Sequence, residues 1–135
     1  MGEALDSRPV RVLIVDDHQL FTEALRTLLQ SDPRFEVVGT ASTGREAVRA
    51  AKAAAVDVVL MDMSMPVLDG VAATRKLRAL DPAPQVIAVS GHTDSLSRAA
   101  ALEAGAAAFL TKREAHETLG ETIVEVCRDR LTGAA

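Results

Sequence analysis

Five short apolar runs, each followed by a segment of helical periodicity, constrain the fold of this chain more than any other feature. The runs are VRVLIV at 10–15, FEVVGTA at 35–41, VDVVLM at 56–61, QVIAVS at 85–90 and AAAFL at 106–110. Strands that are apolar nearly throughout are buried on both faces, and no two-residue hairpin turn separates these runs. The pattern therefore predicts five βα units in an α/β fold, a doubly wound parallel sheet with helices on both faces.

The helical segments carry apolar stripes and end signals. The stripes are Phe21, Leu25, Leu28 and Leu29 in the first segment and Leu119, Ile123, Val126 and Cys127 in the last. The end signals are Thr43 and Glu46 at capping-box spacing, Asp69 and Asp94 as N-caps, and Gly105 as a C-cap. The end signals agree with the periodicity, which supports the division into alternating elements.

Composition restricts the classes of function. The chain has 135 residues, enough for one domain, and its net charge of -4 disfavours a surface that binds nucleic acid phosphates. Cys127 is the only cysteine, so no internal disulfide can form. No apolar stretch approaches the roughly 20 residues that cross a bilayer. We expect a soluble cytoplasmic protein whose partners are neither membranes nor, through this domain, nucleic acids.

Polar residues stand where the predicted strands end. Asp16 and Asp17 follow the first strand, Asp62 the third, Ser90 the fourth and Lys112 the fifth. In an open parallel sheet the carboxyl ends of the strands form one edge, which is where ligands bind. Adjacent carboxylates repel each other unless a cation balances them, and oxygen ligands of this kind suit Mg²⁺. The pattern predicts a cation site at which an aspartate could take up a phosphoryl group beside an ammonium.

Four motifs on this edge resemble those of the receiver domain of two-component response regulators. They are VDDH at 15–18, LMDMSMPVLDG at 60–70, Ser90, and FLTK at 109–112. The spacings from Asp62 to Ser90 and on to Lys112 are similar to those of NarL/LuxR-type transcriptional regulators, and the resemblance covers about residues 9–130. It implies a flavodoxin-like sheet of five parallel strands in the order 2-1-3-4-5, with five helices in three layers.

The resemblance also implies roles for individual residues in phosphoryl uptake. Asp62 would accept the phosphoryl group from a phosphohistidine of a sensor histidine kinase. Asp17 would bind Mg²⁺, or Mn²⁺, directly together with Asp62 and the backbone carbonyl of Ser64, and Asp16 would act mostly through water. Lys112 would pair with a phosphoryl oxygen. Such a domain is a signalling switch with self-catalysed phosphorylation and dephosphorylation, not an enzyme that turns over an external metabolite.

Two further residues match the family's conformational switch. Ser90 would move its hydroxyl to the phosphoryl group, and Phe109 would turn inward when it does. The resulting change would act on the face made by the fourth helix, the fifth strand and the fifth helix. Homodimers would form on phosphorylation, through the first and fifth helices or the fourth and fifth.

The domain layout that we expect has three parts: a flexible N-terminus at 1–8, the receiver at 9–131 and the start of a linker or tail at 132–135. NarL/LuxR-type regulators carry a C-terminal helix-turn-helix domain, which is not within this chain, so DNA would be contacted only through that domain. The alternative is a stand-alone or phosphorylation-independent receiver that acts as an interaction module.

Some features depart from the family pattern or have plainer interpretations. In the family, a proline usually follows the lysine and the peptide bond between them is cis. Arg113 stands in that position here, which leaves the state of this bond open. Ser90 replaces a more frequent threonine and keeps its hydroxyl. Position 64 is serine where a haloacid dehalogenase type of phosphatase has a second aspartate. The histidines, at 18, 92 and 116, show no metal-ligand spacing and are interpreted as surface or cap residues.

Overall fold

The computed structural model describes residues 8–64, 69–91 and 95–128, in which strands and helices alternate. The elements in chain order are β1 Val10–Val15, α1 Gln19–Gln30, β2 Phe35–Ala41, α2 Gly44–Ala53, β3 Val58–Asp62, α3 Gly70–Arg78, β4 Gln85–Ser90, α4 Ser95–Glu103, β5 Ala108–Thr111 and α5 Lys112–Val126. The strands are all parallel, in the order β2-β1-β3-β4-β5. The predicted doubly wound α/β fold and its strand order are confirmed.

Two strands are shifted by about two residues from their predicted bounds. The third strand begins at Val58 because the carboxylate of Asp57 accepts a hydrogen bond from the backbone N–H of Arg11, at 2.8 Å. The fifth begins at Ala108 because the N–H of Ala106 still bonds the carbonyl of Ala101 at the end of α4. In both cases the first two residues of the predicted run belong to the connection before the strand.

The side chains of the sheet alternate between two cores, as the pleat requires. On one face Ile14, Leu60 and Ile87 pack with residues of α1 and α5; on the other Leu13, Met61 and Ala88 pack with residues of α2, α3 and α4. The predicted apolar stripe of the first helix is only partly correct, since Leu25 and Leu29 are buried but Leu28 is 37% exposed. Helices cover both faces of the sheet, which makes three layers.

Most of the predicted helix ends are confirmed. The carboxylate of Asp69 accepts a hydrogen bond from the N–H of Ala72 at 2.8 Å, and the following helix begins at Gly70. Gly105 has a φ of 115°, in the left-handed region that suits glycine, and ends the segment after α4. Asp94 lies outside the described residues.

The predicted capping box is half formed. Thr43 accepts the N–H of Glu46 as expected, but the Glu46 carboxylate accepts the N–H of Ser42 instead of that of Thr43. A complete box occurs at the start of α5, between Thr111 and Glu114. The Glu46 side chain reaches the N–H of Ser42, so the spacing of Thr43 and Glu46 alone does not determine whether a complete capping box forms.

The fifth strand runs directly into the fifth helix at Lys112. Among the described residues the only cis peptide bond is Asp81–Pro82, so the bond between Lys112 and Arg113 is trans. The open question about Arg113 is thereby answered. No helix in the described parts of the chain is long and apolar enough to cross a membrane.

Candidate functional site

The polar residues that follow β1 and β3 meet at the carboxyl edge of the sheet. Val15 is the register partner of Met61, so Asp16 and Asp62, the next residues, come side by side. Asp17 and His18 complete the group, and one ligand atom from each of the four side chains lies within 4.8 Å of the others. The carboxylates predicted to converge are together, and they come from two separate strands.

Asp62 is the most enclosed of these carboxylates, with 1% of its surface exposed. Its Oδ1 accepts hydrogen bonds from the backbone N–H of Ser64 at 3.0 Å and from the Ser64 hydroxyl at 2.8 Å. Its Oδ2 is buried and has no hydrogen-bond donor within the described residues. We predict that Ser64 acts through its backbone carbonyl. The contacts that the structure shows come from its backbone N–H and its hydroxyl, and these hydrogen bonds orient the carboxylate of Asp62.

The pKa of Asp62 is raised above the ordinary value for an aspartate. Burial is the main cause, and the neighbouring Asp16 carboxylate adds to it. The hydrogen bonds from Ser64 and the charge of Lys112 act in the opposite direction and are outweighed. The ionised carboxylate is thus held in a place that favours its neutral form, which is the electrostatic condition for attracting a cation.

Lys112 brings a positive charge to the same edge from the start of α5. Its Nζ lies 3.1 Å from Asp16 Oδ2, as an ion pair that lacks hydrogen-bonding geometry. The ammonium also lies over the ring of Phe21, 4.6 Å from the centroid. The Asp16 side chain is 3% exposed and that of Lys112 is 22% exposed, so the pair is partly shielded from water.

His18 is a site neighbour that the sequence interpretation missed. It occupies the N-cap position of α1, and its side chain is 65% exposed, which agrees with the predicted surface or cap placement. Its Nδ1, however, lies 3.1 Å from Asp16 Oδ1, 3.2 Å from Asp17 Oδ1 and 3.2 Å from Lys112 Nζ. Direct adjacency to the aspartate pair was the signal in the sequence that could have indicated this.

Ser90 and Phe109 lie toward the face of the sheet that is opposite to α1 and α5. Both are buried, with Ser90 at the carboxyl end of β4. Ser90 shares its side of β4 with Ala88, and Ala88 is the register partner of Phe109. The guanidinium carbon of Arg98 on α4 lies 6.0 Å from the centroid of the Phe109 ring. Ser90 therefore ends β4 on the side of the sheet that faces the layer containing α4.

The donor set fits a hard divalent cation. It consists of carboxylate oxygens from Asp16, Asp17 and Asp62, which are the ligands that Mg²⁺ prefers. A buried carboxylate oxygen without a donor, such as Asp62 Oδ2, is costly unless a partner of positive charge is supplied. These residues could hold Mg²⁺, while the nearby imidazole of His18 is also compatible with Mn²⁺.

The fold and the site together define an α/β protein with a cluster of aspartates, flanked by a lysine, at the carboxyl edge of its parallel sheet. The chain belongs to the response regulator receiver domain family, which matches residues 12–124. It is 41% identical over 117 residues to the response regulator UvrY of Escherichia coli O6:H1, covering 87% of this chain and 54% of UvrY.

The receiver domain of a NarL response regulator of Mycobacterium tuberculosis superposes with a TM-score of 0.84 at 31% identity, covering 90% of this chain and 98% of that one. Response regulators of the LuxR family are also among the similar structures. A protein-glutamate methylesterase/protein-glutamine glutaminase of Halalkalibacterium halodurans is 39% identical, covering 80% of this chain and 31% of that protein.

The chain spans about half the length of the first curated relatives that it matches. Proteins with different names, a response regulator and a protein-glutamate methylesterase, match this chain at similar sequence identity. Membership of the family makes this chain a receiver domain of the response regulator type, which is a signalling domain. The similarity of this domain therefore extends across more than one kind of protein.

Proposed function

We propose that Asp62 is the phosphoacceptor of this receiver and that it takes a phosphoryl group from a phosphohistidine of a sensor histidine kinase. The observation that carries the proposal is Asp62 Oδ2, a buried carboxylate oxygen without a donor in the described part of the chain, next to Asp16 and Asp17. Oδ1 is engaged by two donors from Ser64, so Oδ2 is the oxygen left to attack.

In the transfer of the phosphoryl group, a bond from phosphorus to oxygen replaces a bond from phosphorus to nitrogen. Oδ2 of Asp62 attacks the phosphorus, an O–P bond forms, and the P–N bond to the kinase histidine breaks with its electron pair returning to the imidazole. The ammonium of Lys112 leaves its pairing with Asp16 to balance the charge of a phosphoryl oxygen. Asp17, Asp62 and the Ser64 carbonyl, with Asp16 acting through water, would hold Mg²⁺, which would supply positive charge for the remaining phosphoryl oxygens.

Phosphorylation would be communicated through Ser90 and Phe109. The Ser90 hydroxyl would donate a hydrogen bond to a phosphoryl oxygen, and this favours one position of the Phe109 ring. Support comes from their placement toward one face of the sheet, with Arg98 of α4 stacked on that ring. The output is then a shift in population between two arrangements of α4, β5 and α5, on which homodimerisation would depend.

For the whole protein we propose a transcriptional regulator in which residues 9–131 are the receiver and 132–135 begin a linker to a DNA-binding domain. The similarity to UvrY and to a LuxR-family regulator supports this output. Reading the complete gene at its locus tests it: a helix-turn-helix domain after the receiver is expected, and a methylesterase domain in that place would contradict it.

The phosphoacceptor is tested by incubating the protein with acetyl phosphate and Mg²⁺ and measuring the intact mass. A gain of one phosphoryl group is expected for the wild type and for Asp69→Asn, because asparagine caps a helix as well as aspartate does. Asp62→Asn should gain none. No gain in the wild type would favour the phosphorylation-independent interaction module, and a gain that persists in Asp62→Asn would mean that another residue takes up the phosphoryl group.

A further inference from the structure

Phe21 was predicted as one member of an apolar helical stripe, and the structure gives it a second contact. It lies in the first turn of α1, where it is partly buried and packs against the core that α1 and α5 share. The Nζ of Lys112 lies over its ring, 4.6 Å from the centroid. An ammonium at this distance is attracted by the electron density of an aromatic face.

We propose that Phe21 is a positioning residue for Lys112, whose aromatic face holds the ammonium beside the phosphoacceptor before a phosphoryl group arrives. The inference rests on the proposed function for its consequence, but the contact itself is independent of phosphorylation. A lysine side chain is flexible, with a point charge at its end, and costs entropy to fix in one place. A charge that is fixed in advance needs no reorganisation during transfer.

The other contacts of Lys112 at this edge do not fix its position by themselves. The pairing with Asp16 lacks hydrogen-bonding geometry, so it attracts without orienting. The neighbour on a third side is His18 Nδ1 at 3.2 Å, which is also within 3.2 Å of two carboxylates and cannot serve all of them at once. Within residues 8–64, 69–91 and 95–128, the ring of Phe21 is the one contact that opposes movement of Nζ out of the edge without competing for a carboxylate.

The contact joins the starts of two helices from opposite ends of the chain. Asp16, His18 and Phe21 all lie between the end of β1 and the first turn of α1, whereas Lys112 is the first residue of α5. The two helices pack through Leu25, Leu29, Leu119 and Ile123 in one core. Because this core fixes the helices relative to each other, it brings the ring under the ammonium.

The test separates the aromatic face from the apolar volume. Phe21→Leu keeps most of the packing and removes the ring face; Phe21→Tyr keeps both. Phe35→Leu is the matched control, because Phe35 belongs to the same core and lies under a different cation, Arg34, 5.0 Å from its ring. Rates of phosphorylation are measured against acetyl phosphate concentration at saturating Mg²⁺, together with the thermal midpoint.

Phe21→Leu should lower the rate constant divided by the half-saturating acetyl phosphate concentration by roughly three- to tenfold, the range of a cation–π contact. Phe21→Tyr should stay within about twofold of the wild type on the same basis. Phe35→Leu should leave the kinetics unchanged even if its thermal midpoint falls. Equal slowing by Phe35→Leu and Phe21→Leu would mean that a loosened core is the cause, and it would overturn the inference.

The ring also has a direct spectroscopic signature. The chain has three lysines, and the other two, Lys52 and Lys76, are exposed. The ring current of Phe21 should shift the ε-methylene protons of Lys112 upfield of theirs, in the wild type and in Phe21→Tyr but not in Phe21→Leu. A shift that Phe21→Leu abolishes supports the inference even if the wild type takes up no phosphoryl group, a result that would remove only the proposed function. Absence of the shift in the wild type refutes it.

Discussion

Lys112 Nζ and Asp16 Oδ2 lie 3.1 Å apart, although one residue opens the last helix and the other closes the first strand. The pair is only partly open to water, and it stands next to Asp62, whose pKa is raised mainly by burial. The positive charge has two tasks that oppose each other. It balances the carboxylates while the site is free of ligand, and it competes with any cation that binds them.

Replacing Lys112 by methionine should therefore have two effects of opposite sign. Affinity for Mg²⁺ should rise, by roughly three- to tenfold, because a competing charge is removed from the edge. Phosphorylation by acetyl phosphate should slow on the order of 100-fold, because the transferring oxygens lose their ammonium. Calorimetric titration and intact mass measure the two. Lys52→Met, on the exposed surface of α2, should change neither, and a fall in Mg²⁺ affinity in Lys112→Met would contradict the opposition.

Replacing Asp62 by asparagine should stabilise the protein in the absence of divalent cations. The pKa of Asp62 is raised in the fold above its ordinary 3.8, so the folded state binds the proton more tightly than the unfolded chain. The free energy of unfolding of the wild type therefore falls as the pH rises from that value through the raised one, and the penalty is complete above it. An isosteric neutral amide removes the penalty and can still accept the hydrogen bonds of Ser64.

Thermal melts across pH test this directly. At pH 7 we expect Asp62→Asn to melt at a higher temperature than the wild type, because the neutral amide carries no burial penalty. The difference should shrink as the pH falls toward the ordinary carboxyl range, where the wild-type group is protonated too. A mutant that is less stable at pH 7, or a gap that widens in acid, is incompatible with the raised pKa.

Mg²⁺ should raise the thermal midpoint of the wild type, and a chelator should reverse the effect. At a concentration tenfold above the dissociation constant the gain is about 1.4 kcal/mol. Asp17→Asn should lose most of this gain because it removes a charged oxygen from the group around Asp62. Asp81→Asn removes an equal charge near the amino end of β4, at the opposite edge of the sheet, and should keep the full gain. Equal gains in the two variants would exclude Asp17 as a ligand.

Gly70→Ala should destabilise the fold by about 1 to 3 kcal/mol, the usual cost of forcing atoms into a packed place. A Cβ at position 70 would lie 2.7 Å from the carbonyl oxygen of Asp62 and 2.9 Å from the Cα of Met63, so the backbone that carries Asp62 would have to shift. Gly91→Ala is the control, because a Cβ there meets nothing within 4 Å. Urea denaturation compares the two; similar midpoints would mean that this close approach is unimportant.

The fold class could be predicted from the amino-acid sequence. Apolar runs without hairpin turns can only be buried in a parallel sheet, and this places the residues after each run on one edge regardless of side-chain detail. Asp16, Asp17 and Asp62 were found in this way, and the structure brings them together. End signals that act within one turn, such as Asp69 and Gly105, were equally readable because their partners are a few residues away.

The tertiary structure alone decided which side chains surround Lys112. Periodicity gives the face of a helix but not what crosses that face, so Phe21 was read as packing and His18 as surface, whereas both contact the ammonium. The same holds for Asp62, whose raised pKa depends mainly on burial in the folded chain and in part on the charge of Asp16. A hydrogen bond or a cation–π contact requires groups within a few ångströms of each other, and only the packing of α1 and α5 in one core sets distances of that order between residues so far apart in sequence.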